Sequence, residues 1–417
     1  MAEIVISGGK TLSGEITVQG AKNSVLPVLA GTLLCYGESI IHNCPNISDV
    51  DTSFLILEGL GCKCKKQDST VIVNSSAVNG YTIPDDLMRQ MRSSVMFLGA
   101  IIGRTGKAVI SSPGGCELGP RPIDLHLSAL KKMGVTITEE HGLLCCETKN
   151  GLRGADIHLN FPSVGATENI ILAAATAKGE TFIHNAAREP EISDLADFLN
   201  SMGAKISGCG SDTIYISGVD KLYPTTHTII PDRIVAATYI AAAAVTGSKI
   251  TLKNTMPSHM VSCLSLFRES GCDIKALGRT LTVSAPKRLN RVPTVRSLVY
   301  PGFPTDAGPL VVAMLSLSSG TCVFVENIFE NRFRYVGELN RLGTKIKTEG
   351  KIAVIEGVQS LSGANCKCTD LRGGAALVTA ALAANGETQI SDISHILRGY
   401  EDIVSNLSSI GADIKIV

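Results

Sequence analysis

A cysteine at position 116 sits in the run Ser111-Ser112-Pro113-Gly114-Gly115-Cys116-Glu117-Leu118-Gly119-Pro120-Arg121, too rich in Gly and Pro for the interior of a helix or strand. A thiol on such a loop, with a guanidinium five residues on at Arg121, can give up its proton and serve as acid or nucleophile. Glu117 opposes that effect, and residue types alone leave the contest open. An ordinary surface loop also carries a cysteine now and then. The weight of Cys116 therefore rests on the company it keeps.

That company recurs along the chain. Polar residues stand at the head of apolar runs at Gln19-Gly20-Ala21-Lys22-Asn23-Ser24, at Arg89 and Arg92, and at Ser163-Val164-Gly165. They stand again at Pro231-Asp232-Arg233, at Phe303-Pro304-Thr305-Asp306 and at Asp370-Leu371-Arg372. A helix start offers free N–H groups and a partial positive charge, and added Lys and Arg make it a seat for phosphate or carboxylate. Ser163, Asp232 and Asp370 are equally suited to plain N-capping, and Arg92 and Arg372 to surface ion pairs. The chain has no P-loop and no dinucleotide fingerprint.

The six places belong to six copies of one unit. An apolar run ends in Gly37, Gly106, Gly179, Gly247, Gly320 or Gly386, spaced 69, 73, 68, 73 and 66 residues apart, and an alternating strand follows. Gly61, Gly134, Gly203, Gly271, Gly343 and Gly411 mark a second helix end within each unit. Each unit reads strand, helix, strand, helix, strand, strand. The first helices are apolar nearly all round, which predicts burial, while the alternating strands can leave one face wet. Helices inside and sheets outside is the packing that satisfies both.

The sixth unit stops one strand short, and Ile4-Val5-Ile6-Ser7-Gly8 parallels Ile214-Tyr215-Ile216-Ser217-Gly218. The first residues are therefore expected to complete the last unit, which favours closure over an open solenoid of six repeats. One domain of three units would run over 22–231. The other would combine 1–21 with 232–417, with the polar helix starts meeting in the cleft between them. The fold class is α/β.

Composition bounds the rest. The chain has 417 residues, right for two domains, with Lys plus Arg equal to Asp plus Glu at 38 each, so no charge footprint for nucleic acid or an anionic membrane. The longest apolar run, Ala236 to Val245, is too short to span a bilayer, and the first residues lack the pattern of a signal peptide. A cytoplasmic location with reduced thiols is expected for the 13 cysteines. Cys62-Lys63-Cys64 and Cys366-Lys367-Cys368 are spaced too closely for structural zinc and read, with Cys145-Cys146, as core-facing strand cysteines.

Together, Lys22-Asn23, the Gly-Gly-Cys116 loop with Arg121-Pro122-Ile123-Asp124-Leu125-His126, Ser163-Val164-Gly165-Ala166-Thr167, Pro231-Asp232-Arg233-Ile234, Phe303-Pro304-Thr305-Asp306, Phe329-Glu330-Asn331-Arg332, Asp370-Leu371-Arg372 and Arg398-Gly399-Tyr400-Glu401 resemble the UDP-N-acetylglucosamine 1-carboxyvinyltransferases, a branch of the enolpyruvyl transferases. The resemblance runs in order over nearly the whole chain. It implies a two-domain inside-out α/β barrel. It also implies transfer of an enolpyruvyl group from phosphoenolpyruvate to the 3′-hydroxyl of UDP-N-acetylglucosamine, with release of phosphate. That reaction opens peptidoglycan synthesis and so serves cell-wall biogenesis, cell shape and division.

On the matching positions, Cys116 is implied as general acid and as the target of fosfomycin, an epoxide that mimics phosphoenolpyruvate. Asp306 would accept the hydroxyl proton. Lys22, Arg121 and Arg398 would hold phosphate and carboxylate, assisted by Arg332 and Arg372, and Asn23 would place reacting oxygens. Arg92, Arg121, Pro122, Ile123, Asp124, Leu125, Ser163, Val164, Gly165 and Ile328 correspond to nucleotide-sugar contacts. Neither metal nor organic cofactor is implied. Glu117, Pro120, Val235 and Ala307-Gly308-Pro309 depart from the family pattern and bear on rate rather than on reaction class.

Overall fold

Six helices carry almost nothing but apolar side chains: Lys22–Gly31, Phe97–Thr105, Val164–Ala174, Arg233–Val245, Gly308–Leu315 and Leu371–Leu382. A helix without a polar stripe is stable only when covered on every side. The computed structural model describes residues 2–111 and 123–417, with the side chain of Arg92 also left out. It divides into two compact units, one of residues 2–19 and 231–417, the other of 20–111 and 123–230. Each unit buries three of the six helices in its own core.

The strands form the outer layer. Each unit has three sheets of three or four strands around its helices. Burial alternates along them, as in Thr70–Asn74 and Thr213–Ser217, so one face meets the helices and the other faces outward. This is an inside-out α/β barrel in each unit.

The strand Ile4–Ser7 lies between Glu387–Ser391 and Asp413–Ile416, antiparallel to both, and supplies the strand missing from the sixth repeat. A second feature was invisible in the repeat pattern. In three repeats the strand before the inner helix pairs in parallel with the strand after it, as Asp156–His158 does with Glu180–His184. At the two places where the chain passes between units, this partnership is exchanged. Ser13–Thr17 pairs with Lys249–Lys253, and Thr226–Thr228 pairs with Glu38–His42. In the second repeat the leading strand shrinks to a single bridge, Thr82 to Val109, and the helix Asp85–Gln90 begins three residues later.

The glycine markers take two physical forms. All six of the second series have φ between +90° and +102°, the conformation of a helix-ending glycine. Gly37 of the first series is a glycine for want of space, since a Cβ there would lie 2.3 Å from Pro224 Cγ.

None of the twelve described cysteines is in a disulfide. Cys62, Cys366 and Cys368 are buried, Cys64 half-buried. The expectation for Cys145 is corrected: Cys146 faces the core, whereas Cys145 is only partly covered, because adjacent strand residues point to opposite faces. Burial pushes the thiols of Cys64, Cys209, Cys263 and Cys368 up to about 12, and those of Cys146 and Cys366 up to about 11. At neutral pH these are protonated and unreactive. Among the described residues, no helix is long and apolar enough to cross a membrane.

Candidate functional site

The unit of residues 2–19 and 231–417 gathers a carboxylate and two guanidiniums. Asp306 lies on the 3-10 turn Thr305–Ala307, ahead of the inner helix Gly308–Leu315. Arg332 Nη2 approaches its Oδ1 at 3.2 Å, and Arg372 Nη2 and Nε approach its Oδ2 at 3.2 and 3.3 Å. Both arginine side chains are almost wholly buried, at 2% and 3% exposure, while the Asp306 side chain is 29% exposed. Buried cations on both oxygens fix the carboxylate's orientation. Arg372 is therefore not the surface ion-pair residue that its sequence context also allowed.

Each arginine is held in turn. Arg332 Nη2 also donates to Thr305 O at 3.0 Å. Arg372 Nη1 lies 3.4 Å from Tyr400 Oη, which lies 2.8 Å from Thr238 Oγ1. Burial works against the Arg372 charge, but the Asp306 carboxylate, with Tyr400 and Asp232, outweighs it and holds the guanidinium firmly protonated. Burial also raises the Tyr400 hydroxyl above its usual range, against the pull of Arg372 and Thr238, so it remains a phenol. Asp370 and Asp232 N-cap the helices Leu371–Leu382 and Arg233–Val245, accepting from Arg372 and Gly373, and from Ile234 and Val235. Arg398 follows the short helix Ser394–Leu397 and is half-buried.

Two supports in this unit, Glu326 and Gln19, had no role assigned from sequence. Glu326, wholly buried, accepts from Ser297 Oγ, Ile328 N and Phe329 N on one oxygen and from Thr305 Oγ1 on the other. It thereby ties Ile328 to the Asp306 turn. Repeat alignment carries its signal, because Glu326 follows its strand where Asn43, Asn185, Asn254 and Asp392 follow theirs. Gln19 clamps the turn after Arg398, donating to Gly399 O at 3.1 Å and accepting from Glu401 N at 2.9 Å.

The other unit carries the remaining described candidates. Lys22 opens the helix Lys22–Gly31 and pairs with Asp49 at 2.7 Å, both nearly buried, while Asn23 beside it is exposed. A pair so covered keeps its charge only through close partnership. Ser163 caps the helix Val164–Ala174, its Oγ accepting from Ala166 N at 3.3 Å, so Val164 and Gly165 form the first turn. Ile123 precedes the helix Asp124–Lys132, which Asp124 and Leu125 begin.

Asn169 joins these two helix starts. Its Nδ2 donates to Val95 O and lies 2.9 Å from His126 Nδ1, and its Oδ1 accepts from Gly99 N. With Nδ2 as donor, His126 Nδ1 is an acceptor and the ring proton sits on Nε2, an assignment made from the bonding pattern. Gly99 permits the approach, since a Cβ there would lie 2.2 Å from Asn169 O. Arg92 begins the 3-10 turn Arg92–Met96, and Arg89 makes an exposed i,i+4 pair with Asp85, the kind worth little. Cys116, Arg121 and Pro122, with Glu117 and Pro120, lie outside the described residues.

Glu168, next to Asn169, is buried at 2% exposure. Burial first, then the charges of Glu191 and Glu189, raise its carboxyl well above the ordinary 4.5. The unfolded chain releases this proton near 4.5 and the folded chain at a higher pH. The folded state then binds more protons, so stability is full below the unfolded value and declines as pH climbs toward the folded one. We expect the wild-type urea midpoint to fall as pH rises above about 5, and Glu168→Gln, which mimics the protonated form, to flatten that fall. Identical pH profiles for the two proteins would contradict the assignment.

The chain is 51% identical over 414 residues to UDP-N-acetylglucosamine 1-carboxyvinyltransferase 2 of Caldanaerobacter subterraneus subsp. tengcongensis, covering 99% of both proteins. It belongs to that family of carboxyvinyltransferases. Family members of similar likeness include UDP-N-acetylglucosamine 1-carboxyvinyltransferase 1 of Symbiobacterium thermophilum, 48% identical over 99% of this chain and 94% of the relative. The broader family model described as EPSP synthase (3-phosphoshikimate 1-carboxyvinyltransferase) matches residues 6–407. Among solved structures, the enolpyruvyl transferase NikO from Streptomyces tendae superposes with a TM-score of 0.90 at 24% identity, covering 100% of this chain and 99% of that one. An EPSP synthase from Acinetobacter baumannii superposes at 0.76 with 17% identity over the full length of both. The carboxyvinyltransferase fold is thus shared even where few residues are.

Proposed function

We infer that this carboxyvinyltransferase moves the enolpyruvyl group of phosphoenolpyruvate onto the 3′-hydroxyl of UDP-N-acetylglucosamine and releases phosphate. The observation that carries the reading is Asp306, gripped by buried Arg332 and Arg372, in a chain that matches UDP-N-acetylglucosamine transferases from end to end. The product is the first precursor of peptidoglycan, and both substrates are metabolites of the cytoplasm, which is where the protein acts.

The reaction is an addition followed by an elimination. A proton adds to the methylene carbon of phosphoenolpyruvate, and positive charge develops at C2. The sugar oxygen bonds to C2 as Asp306 takes the hydroxyl proton, giving a ketal that bears phosphate. The C–O bond to phosphate then breaks, a proton leaves the methyl carbon, and the double bond returns.

Cys116 delivers the first proton, whereas burial holds the thiols of Cys263 and Cys368 protonated. Lys22, Arg121 and Arg398, aided by Arg332 and Arg372, take the phosphate and carboxylate of phosphoenolpyruvate and balance the charge that develops. Asn23 places the reacting oxygens. The nucleotide-sugar rests on Arg92, Arg121 to Leu125, Ser163 to Gly165 and Ile328. Capped helix starts such as Val164–Ala174 present the free N–H groups that diphosphate recognition calls for.

Two measurements test the reading. Phosphate should be released from phosphoenolpyruvate only when UDP-N-acetylglucosamine is present, and release with shikimate 3-phosphate instead would point to the sibling activity. Fosfomycin with UDP-N-acetylglucosamine should add a single mass to wild type and none to Cys116→Ser. Binding of the sugar nucleotide without turnover would mark a non-catalytic paralogue instead.

A further inference from the structure

Asp194, on the helix Pro190–Ser201, is a buried carboxylate with 5% side-chain exposure. Its Oδ2 accepts from Ser24 Oγ and, at 3.5 Å, from Ile230 N. Its Oδ1 lies 3.0 Å from His227 Nε2, and the His227 ring packs edge-on against Phe198 with centroids 5.5 Å apart. These partners come from separate stretches of chain. Ser24 is in the first turn of the helix Lys22–Gly31, completely buried, directly after Lys22 and Asn23. His227 and Ile230 belong to the segment that ends this unit, where the exchanged strand Thr226–Thr228 leads out of it. The two stretches also meet directly, through Ala21 N donating to Ile230 O at 2.8 Å.

We propose that Asp194 is a positioning residue for the transfer: by holding Ser24 against His227 and Ile230, it sets the rotation of the first turn of helix Lys22–Gly31 and so the aim of Lys22 and Asn23. The proposal rests on the roles assigned to those two residues above. Neighbouring side chains on a helix leave about 100° apart, so fastening Ser24 in the core fixes where the two residues before it point. A carboxylate suits the task because it accepts several bonds at once, and bonds to a charged acceptor are the stronger kind. The ion pair with Asp49 anchors the Lys22 ammonium itself, whereas Asp194 anchors the backbone that carries it.

The test compares wild type with Asp194→Asn and Ser24→Ala in the full-length protein. Asp194→Asn keeps the shape but turns one acceptor oxygen into a donor. Its kcat/KM for phosphoenolpyruvate should fall roughly 10- to 100-fold, the range expected when a reacting group is misplaced by about an ångström. Affinity for UDP-N-acetylglucosamine, titrated without phosphoenolpyruvate, should stay within twofold of wild type. Ser24→Ala should move the same parameters in the same direction, and the double variant should be no worse than Asp194→Asn alone.

Unchanged kcat/KM in Asp194→Asn would overturn the proposal. So would an equal loss of activity and nucleotide-sugar binding sites, which is the mark of a merely unfolded fraction. If Asp194→Asn does not accumulate, Ser24→Ala decides by the same criteria. An inactive wild type would instead sink the functional reading beneath it.

Discussion

Replacing Asp306 with Asn should lower kcat roughly a thousandfold, within the range of a lost general base, while leaving UDP-N-acetylglucosamine binding in place. Asn matches the shape of Asp and can still accept from Arg332 or Arg372, so the fold around the turn Thr305–Ala307 survives. It cannot take a proton from a hydroxyl at neutral pH. The two arginines are then left with too much positive charge, and phosphoenolpyruvate, a trianion near neutrality, should bind as well or better. Steady-state phosphate release with calorimetric titration of each substrate separates these effects. A loss of less than tenfold would move the base elsewhere and leave Asp306 as a structural partner of its two arginines.

The second large effect is expected at Lys22. Lys22→Met keeps the length of the side chain and removes the ammonium that faces Asp49 at 2.7 Å. Loss of the cation proposed to hold phosphate should cut kcat/KM for phosphoenolpyruvate by roughly 100- to 1,000-fold. Removing one partner of so buried a pair should also destabilise the fold by about 3–5 kcal/mol, since the Asp49 charge remains where water cannot reach it. The two consequences can be pulled apart. Adding Asp49→Asn to Lys22→Met should restore much of the stability, read by urea unfolding, and none of the turnover. Recovery of both would mean that Lys22 serves the fold rather than the chemistry.

The polar residues at the heads of the inner helices were legible in the sequence because each sits at the same place in a repeat. Lys22, Ser163, Asp232, Asp306 and Asp370 all stand where a polar residue precedes an apolar run. The runs had to be buried helices, and the helices had to begin at the polar residue, because uncapped N–H groups are costly in a core. The same periodicity gave the six alternating sheets. It also gave the role of Ile4–Ser7, whose pattern matches a strand that the last repeat lacks.

Other features depend on contacts between residues far apart in the chain, on which no local pattern reports. The exchange of Ser13–Thr17 and Thr226–Thr228 between sheets is one, for a strand reads the same whichever neighbour it pairs with. The grip of Arg332 and Arg372 on Asp306 is another, because an arginine bound for the core and one bound for solvent have identical sequence surroundings. Asp194 with Ser24 and His227, Asn169 with His126, and Glu326 with Thr305 and Ile328 are of the same kind. Hydrophobic periodicity and capping act within a dozen residues, and they specify the repeat, the buried helices and the side chains at their heads. Which polar groups meet is settled by folding, since a buried charge is stable only beside a partner brought from elsewhere in the chain.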